Sequence, residues 1–138
     1  MINRTCFSPA GDPTGPAERR VGPAAETPLV LLHEGLGSVS AWGSFPARLA
    51  EATGRWVLAY DRAGYGRSGS PAPSPWPARF MHTEARRLDD LLADEGLERV
   101  VLVGHSDGGS IALLHPSQAV PGRVAVAAVV SMSAHVMV

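Results

Sequence analysis

The chain has 138 residues, enough for one domain with a modest core. Its 12 Lys and Arg against 13 Asp and Glu leave a net charge of −1, without the basic excess that nucleic acid or an anionic membrane would select, so small molecules, as substrate, or proteins are the expected partners. The single cysteine, Cys6, excludes an internal disulfide, the first twelve residues hold no apolar stretch of signal-peptide length, and the longest aliphatic run, VAVAAVV at 124–130, is far short of the roughly 18 residues of a membrane span; a cytoplasmic setting is expected.

Residues 1–28 mix Gly, Pro and charge without apolar period and read as an irregular N-terminal arm; residues 29–138 read as the folded unit. LVLLH (29–33), RWVLAY (55–60), RVVLVG (99–104) and RVAVAAVV (123–130) are near-continuous apolar runs, the pattern of parallel strands covered on both faces. Between the first two, Trp42, Phe45, Leu49 and Ala52 recur at helical spacing over about 40–53, with Gly54 as the stop. A second helix over about 78–95 sets Phe80, Ala85, Leu88, Leu91 and Leu92 on one face and Arg86 and Asp90 on the other, and ends at Gly96. A third begins at Ser106 and is expected to be short, because Pro116 has no amide proton for a helical bond. SPAPSPWP (70–77) reads as a long loop. Alternating strands and helices give an α/β fold with a mostly parallel sheet and right-handed crossovers.

Two glycine-rich stretches compete for a functional role. GYGRSG (64–69) matches G-x-G-x-x-G after a strand, but proline-rich sequence follows where a phosphate-binding helix would have to start, so it reads as a tight loop. GHSDG (104–108) matches G-x-S-x-G with an aliphatic strand before it and GSIALL, able to start a helix, after it. The glycines give room for a sharp strand-to-helix turn that lifts the Ser106 hydroxyl above the sheet, beside a helix N-terminus suited to a developing negative charge. No HExxH or paired Cys/His spacing occurs, so neither metal nor cofactor is expected.

LVLLHEGLGSVSAW, VLAYDRAGYGRSG and VVLVGHSDGGSIALL, in that order and covering about residues 28–131, resemble the α/β-hydrolase superfamily, in its serine-nucleophile branch. The resemblance implies a partial α/β-hydrolase fold, its N-terminal half, ending after about the sixth family strand. It places the strand at 29–33 centrally, with 55–60 on one side and 99–104 then 123–130 on the other. It makes GHSDG a nucleophile elbow, Ser106 the catalytic nucleophile, and the backbone amides of Gly35 and Asp107 the oxyanion-hole donors. His33, Glu34 and His105 are candidate pocket-lining residues; Glu34 stands where the family has glycine, and a loop-bracing role is expected for it, paired for example with Arg62. His33 and His105 are expected to be structural, and His82 to be solvated or capping.

A serine needs a histidine to take its proton and an acid to orient that histidine. In the family both follow the serine, yet after residue 107 there are only His115 and His135 and no acid. His115 leads away from the site and His135 comes too early, so the triad is expected to be incomplete within these residues. The leading expectation is a serine hydrolase of ester or related acyl or carbon–carbon substrates, nearly inactive as this chain alone. A non-catalytic α/β-hydrolase-like binding protein, or an inactive fragment, is the alternative.

Overall fold

The structure, a computed structural model, describes residues 1–10, 12–14, 27–69 and 77–135. The loop assigned to SPAPSPWP lies, apart from Pro77, outside the described residues.

Six strands form one sheet: β1 (Arg4–Phe7), β2 (Pro13–Thr14), β3 (Leu29–Leu32), β4 (Val57–Tyr60), β5 (Arg99–His105) and β6 (Ala125–Met132). Their order across the sheet is β2-β1-β4-β3-β5-β6. β4, β3, β5 and β6 run parallel, and β1 adds antiparallel to β4. Chain order reverses beside β3, whose successor β4 lies on one side and β5 on the other, so the carboxyl ends of β3 and β5 mark the switch point beside which open α/β sheets place ligands in a crevice.

β3 and β4 read as unbroken apolar runs because both of their faces are covered. Val30 and Leu32 join Leu58, Tyr60, Leu102 and the helix residues Leu88, Leu92, Ile111 and Ala112 in one core layer. Leu29 and Leu31 join Val57, Ala59, Val103 and Ala50 in the other. Each fully buried leucine in these layers contributes about 2 kcal/mol of transfer free energy.

Helix α1 (Phe45–Thr53) is shorter than the periodicity indicates, since Ser40–Trp42 form a separate 3₁₀ turn, and it ends at Gly54 in the left-handed region (φ 64°). Helix α2 spans Phe80–Asp94. Helix α3 runs Asp107–Gln118, past Pro116. The expected early stop does not occur because the proline sits in the final turn, where it removes only its own bond, and the Ala119 amide still closes on the His115 carbonyl at 2.8 Å.

Two further expectations are corrected. The arm at 1–28 contributes two strands: Cys6 is completely buried in the core, while its neighbours along β1 are only partly covered. A single inward residue in a four-residue strand leaves no readable alternation. VAVAAVV has the composition of a buried strand, yet β6 takes the last place that the resemblance implies, with one described neighbour, and is exposed along most of its length. Its aliphatic composition matches a covered strand, but its position in the sheet decides the exposure. Among the described residues, no helix is long and apolar enough to cross a membrane.

Candidate active site

β5 passes into α3 through one residue, Ser106, whose backbone takes φ 54°, ψ −117°. A non-glycine residue at positive φ is strained and persists only where its surroundings enforce it. The enforcement comes from packing behind the turn: a β-carbon at Gly108 would lie 2.7 Å from the His33 carbonyl oxygen and closer still to that of Leu32. Glycine therefore lets α3 press its first turn directly onto the end of β3. On the other side, the Ser106 amide donates to the Met132 carbonyl of β6 at 2.8 Å.

The loop after β3 is built around one carbonyl. The Glu34 carbonyl oxygen accepts from the Gly37 amide at 3.1 Å, from Arg62 Nη2 at 2.8 Å and from His33 Nδ1 at 2.7 Å. The tautomer of His33 follows from its second bond: Nε2 accepts from the Arg62 amide at 3.0 Å, so the ring proton sits on Nδ1. Burial pushes the His33 ring below the ordinary histidine value and the Arg62 charge adds to this, against the opposing hydrogen bond to Glu34. His33 is 2 % exposed and braces the loop from beneath instead of lining the crevice.

The Glu34 carboxylate turns back on its own loop and accepts from the Leu36 amide through Oε2 at 2.5 Å. Among the described residues no contact joins this carboxylate to Arg62, which binds the Glu34 backbone carbonyl instead. His105 closes β5 half-buried, and no described contact joins it to Ser106. His82, expected to be solvated or capping, lies in the first turn of α2 with Nδ1 buried, and that nitrogen has no hydrogen-bond partner among the described residues.

The carboxylate that does reach the crevice belongs to Asp107. A β-carbon at Gly35 would sit 2.8 Å from Asp107 Oδ2, so that side chain packs against the Cα of Gly35 in the loop after β3. Arg62 Nη2 stands 3.8 Å from Asp107 Oδ2, and His135 Nε2 stands 3.0 Å from Asp107 Oδ1. Arg62 is completely buried, with its guanidinium over the Tyr65 ring at 4.5 Å.

His135 overturns the expectation that no histidine reaches Ser106: its Nε2 lies 3.0 Å from Ser106 Oγ. Ser133, at φ 51°, bends the chain after β6 back over the turn. The His135 backbone is then tied to α3, its amide donating to Ser110 Oγ at 2.9 Å and Ser110 Oγ donating to the His135 carbonyl at 3.3 Å. Sequence order hid this, because spacing along the chain says nothing about a strand exit folding onto its neighbour.

The same nitrogen meets both partners. In a Ser–His–Asp triad the acid binds Nδ1 and leaves Nε2 a lone pair for the serine proton. Here Asp107 and Ser106 both face Nε2, so the carboxylate favours the tautomer carrying its proton there, and that tautomer cannot accept from Ser106.

Comparison with known proteins places this geometry in context. A model described as the alpha/beta hydrolase family matches residues 29–137. A proline iminopeptidase of Lactobacillus delbrueckii subsp. lactis is 36 % identical over 98 residues, which are 70 % of this chain and 33 % of the relative. An sn-1-specific diacylglycerol lipase of Danio rerio is 36 % identical over 92 residues, 67 % of this chain and 27 % of the relative. The crystal structure of a bromoperoxidase from Bacillus anthracis superposes with TM-score 0.65 at 25 % identity, covering 93 % of this chain and 38 % of that one. The chain thus spans about a third of the length of the curated relatives it matches. With the family's pattern matched from β3 to the last residues and its partial fold reproduced in the sheet, the chain belongs to the alpha/beta hydrolase family.

Proposed function

We propose that the chain carries the nucleophilic centre of a serine hydrolase acting on esters or related acyl compounds, with Ser106 as nucleophile. The observation that supports this most directly is the strained turn that holds the Ser106 hydroxyl 3.0 Å from an imidazole nitrogen, next to two amides, of Gly35 and Asp107, that make no hydrogen bond among the described residues. The relatives' names, a peptidase and a glyceride lipase, span amide and ester substrates, so acyl transfer is the chemistry they share.

In the proposed step the Ser106 Oγ proton passes to His135 Nε2 while Oγ bonds to the substrate carbonyl carbon. The carbonyl electron pair moves onto oxygen, where the Gly35 and Asp107 amides hold the negative charge. Collapse expels the leaving group, which takes the proton from His135, and water then hydrolyses the acyl-serine by the same route. An imidazolium at His135 is paired with Asp107, but the resting tautomer opposes the first proton transfer. A histidine held in the wrong tautomer lowers turnover by about 10⁴-fold in a serine protease, so slow reaction is expected from this chain. A non-catalytic binding role is the second reading, favoured by that shared nitrogen.

The test treats the purified chain with a fluorophosphonate probe, beside Ser106→Ala and His135→Gln. Slow labelling that vanishes in Ser106→Ala and drops in His135→Gln is expected. Wild-type protein that stays unlabelled, or labelling that survives Ser106→Ala, overturns the reading.

A further inference from the structure

Arg62 is an expensive residue to bury. It has no solvent exposure, its Nε and Nη1 find no hydrogen-bond partner among the described residues, and Asp107 is the nearest described carboxylate paired with it, 3.8 Å away. Removing a guanidinium from water with so few partners costs free energy that a hydrophobic residue of similar size would not. Its one direct hydrogen bond to the loop goes to the Glu34 carbonyl.

That carbonyl belongs to the peptide that also contains the Gly35 amide. A peptide unit is planar and trans, so its C=O and N–H point in opposite directions. The Glu34 oxygen points inward, where Arg62 and His33 hold it at 2.8 and 2.7 Å. The Gly35 N–H must therefore point outward, toward the crevice, and it takes no partner among the described residues. Both donors are themselves fixed: His33 by the Arg62 amide at its Nε2, and Arg62 by complete burial against Tyr65. The bare Cα of Gly35 meanwhile faces the Asp107 carboxylate, which brings the loop up to the first residue of α3.

We infer that Arg62 and His33 are positioning residues that lock the Glu34–Gly35 peptide, so that the Gly35 amide is aimed at the oxyanion before substrate arrives. The assignment of that amide to an oxyanion rests on the proposed function; the lock itself does not. The interaction is worth making because a preorganised donor needs no reorganisation during reaction. A free peptide plane could flip and present its carbonyl instead, turning an attractive dipole into a repulsive one.

The experiment uses the chain with Arg62→Met, Arg62→Lys and the double change Arg62→Met with His33→Phe, each checked for folding by circular dichroism. It reads the peptide through the Gly35 amide resonance and a crystal structure, and reads Ser106 through its fluorophosphonate rate. In Arg62→Met the Gly35 resonance is expected to shift or split and the rate to fall about 10²-fold, the loss typical of one oxyanion donor. Lysine can still donate to the Glu34 carbonyl, so Arg62→Lys is expected to recover much of both. The double variant, with two of the three donors gone, is expected to show the flipped peptide. An unmoved Glu34 carbonyl in Arg62→Met and in the double variant overturns the lock, whether or not Ser106 reacts. A flipped peptide with an unchanged rate leaves the lock standing and removes Gly35 from the proposed chemistry.

Discussion

Replacing Gly108 with alanine places one methyl group where α3 meets β3. The new β-carbon would lie 2.5 Å from the Leu32 carbonyl carbon and 2.7 Å from the His33 carbonyl oxygen, with the Leu32 oxygen nearer still. All three are backbone atoms of the central strand or its exit, so no side chain can rotate aside. Restoring ordinary contact requires α3 to retreat by about 1 Å, a displacement that overpacked cores accommodate at a cost of roughly 1–3 kcal/mol. The retreat also loosens Ile111 and Ala112, two fully buried residues of α3 itself, so the upper end, about 3 kcal/mol, is expected. In urea, with a slope of about 2 kcal/mol per molar, the midpoint should fall by about 1.5 M. The displacement also moves the Ser106 hydroxyl relative to the Gly35 loop, and a misplacement of about 1 Å can cost about 10²-fold in rate, read as slower fluorophosphonate labelling. Gly69→Ala is the control: no described residue lies within 4 Å of its added carbon, and its midpoint should not move. If Gly108→Ala unfolds at the wild-type midpoint with the wild-type slope, the close approach of α3 to β3 is refuted, and with it the packing reason given for the strained serine.

Stability should depend on pH through two buried histidines. His33 and His115 are both held below the ordinary histidine value, chiefly by burial, with the Asp89 charge pulling His115 back upward. A depressed folded-state value means that the unfolded chain binds protons first, so stability is complete above about pH 6.5 and is lost as pH falls through and below it. Thermal midpoints should therefore drop between about pH 7 and pH 5, and less so in His115→Gln; a flat profile refutes the assignment. A third expectation concerns Asp61, 2 % exposed, whose carboxylate accepts from Asn3 Nδ2 at 2.7 Å, the Arg67 amide at 2.8 Å and the Val39 amide at 2.5 Å. Asp61→Ala leaves three donors unpaired and should destabilise by about 3 kcal/mol or more in a urea titration; a change below about 1 kcal/mol would show that water or the loops replace those bonds.

Several features of the fold were already determined by the sequence. Leu29–Leu32 and Val57–Tyr60 declared themselves as doubly covered parallel strands because burial on both faces demands apolar residues at every position. GHSDG between an aliphatic strand and a helix former likewise fixed the turn at Ser106, since only glycines allow backbones to approach so closely on both sides. GYGRSG was legible as a loop, and it wraps the Asp61 carboxylate.

Tertiary structure decided what depends on partners distant in the chain. Whether VAVAAVV is covered depends on its place in the sheet, not on its composition, and the last place leaves it exposed. Cys6 is a core residue because β1 lies against β4, a pairing across more than fifty residues that a four-residue strand cannot announce. The site shows the same division: Ser106 could be named from local pattern and Gly35 and the Asp107 amide from the family resemblance, but the places of the Arg62 guanidinium beneath the loop, the Asp107 carboxylate against it and His135 over the serine could not. Their positions follow from three strand ends converging at one edge of the sheet, and side-chain electrostatics act over a few ångströms of space, whatever the separation in sequence.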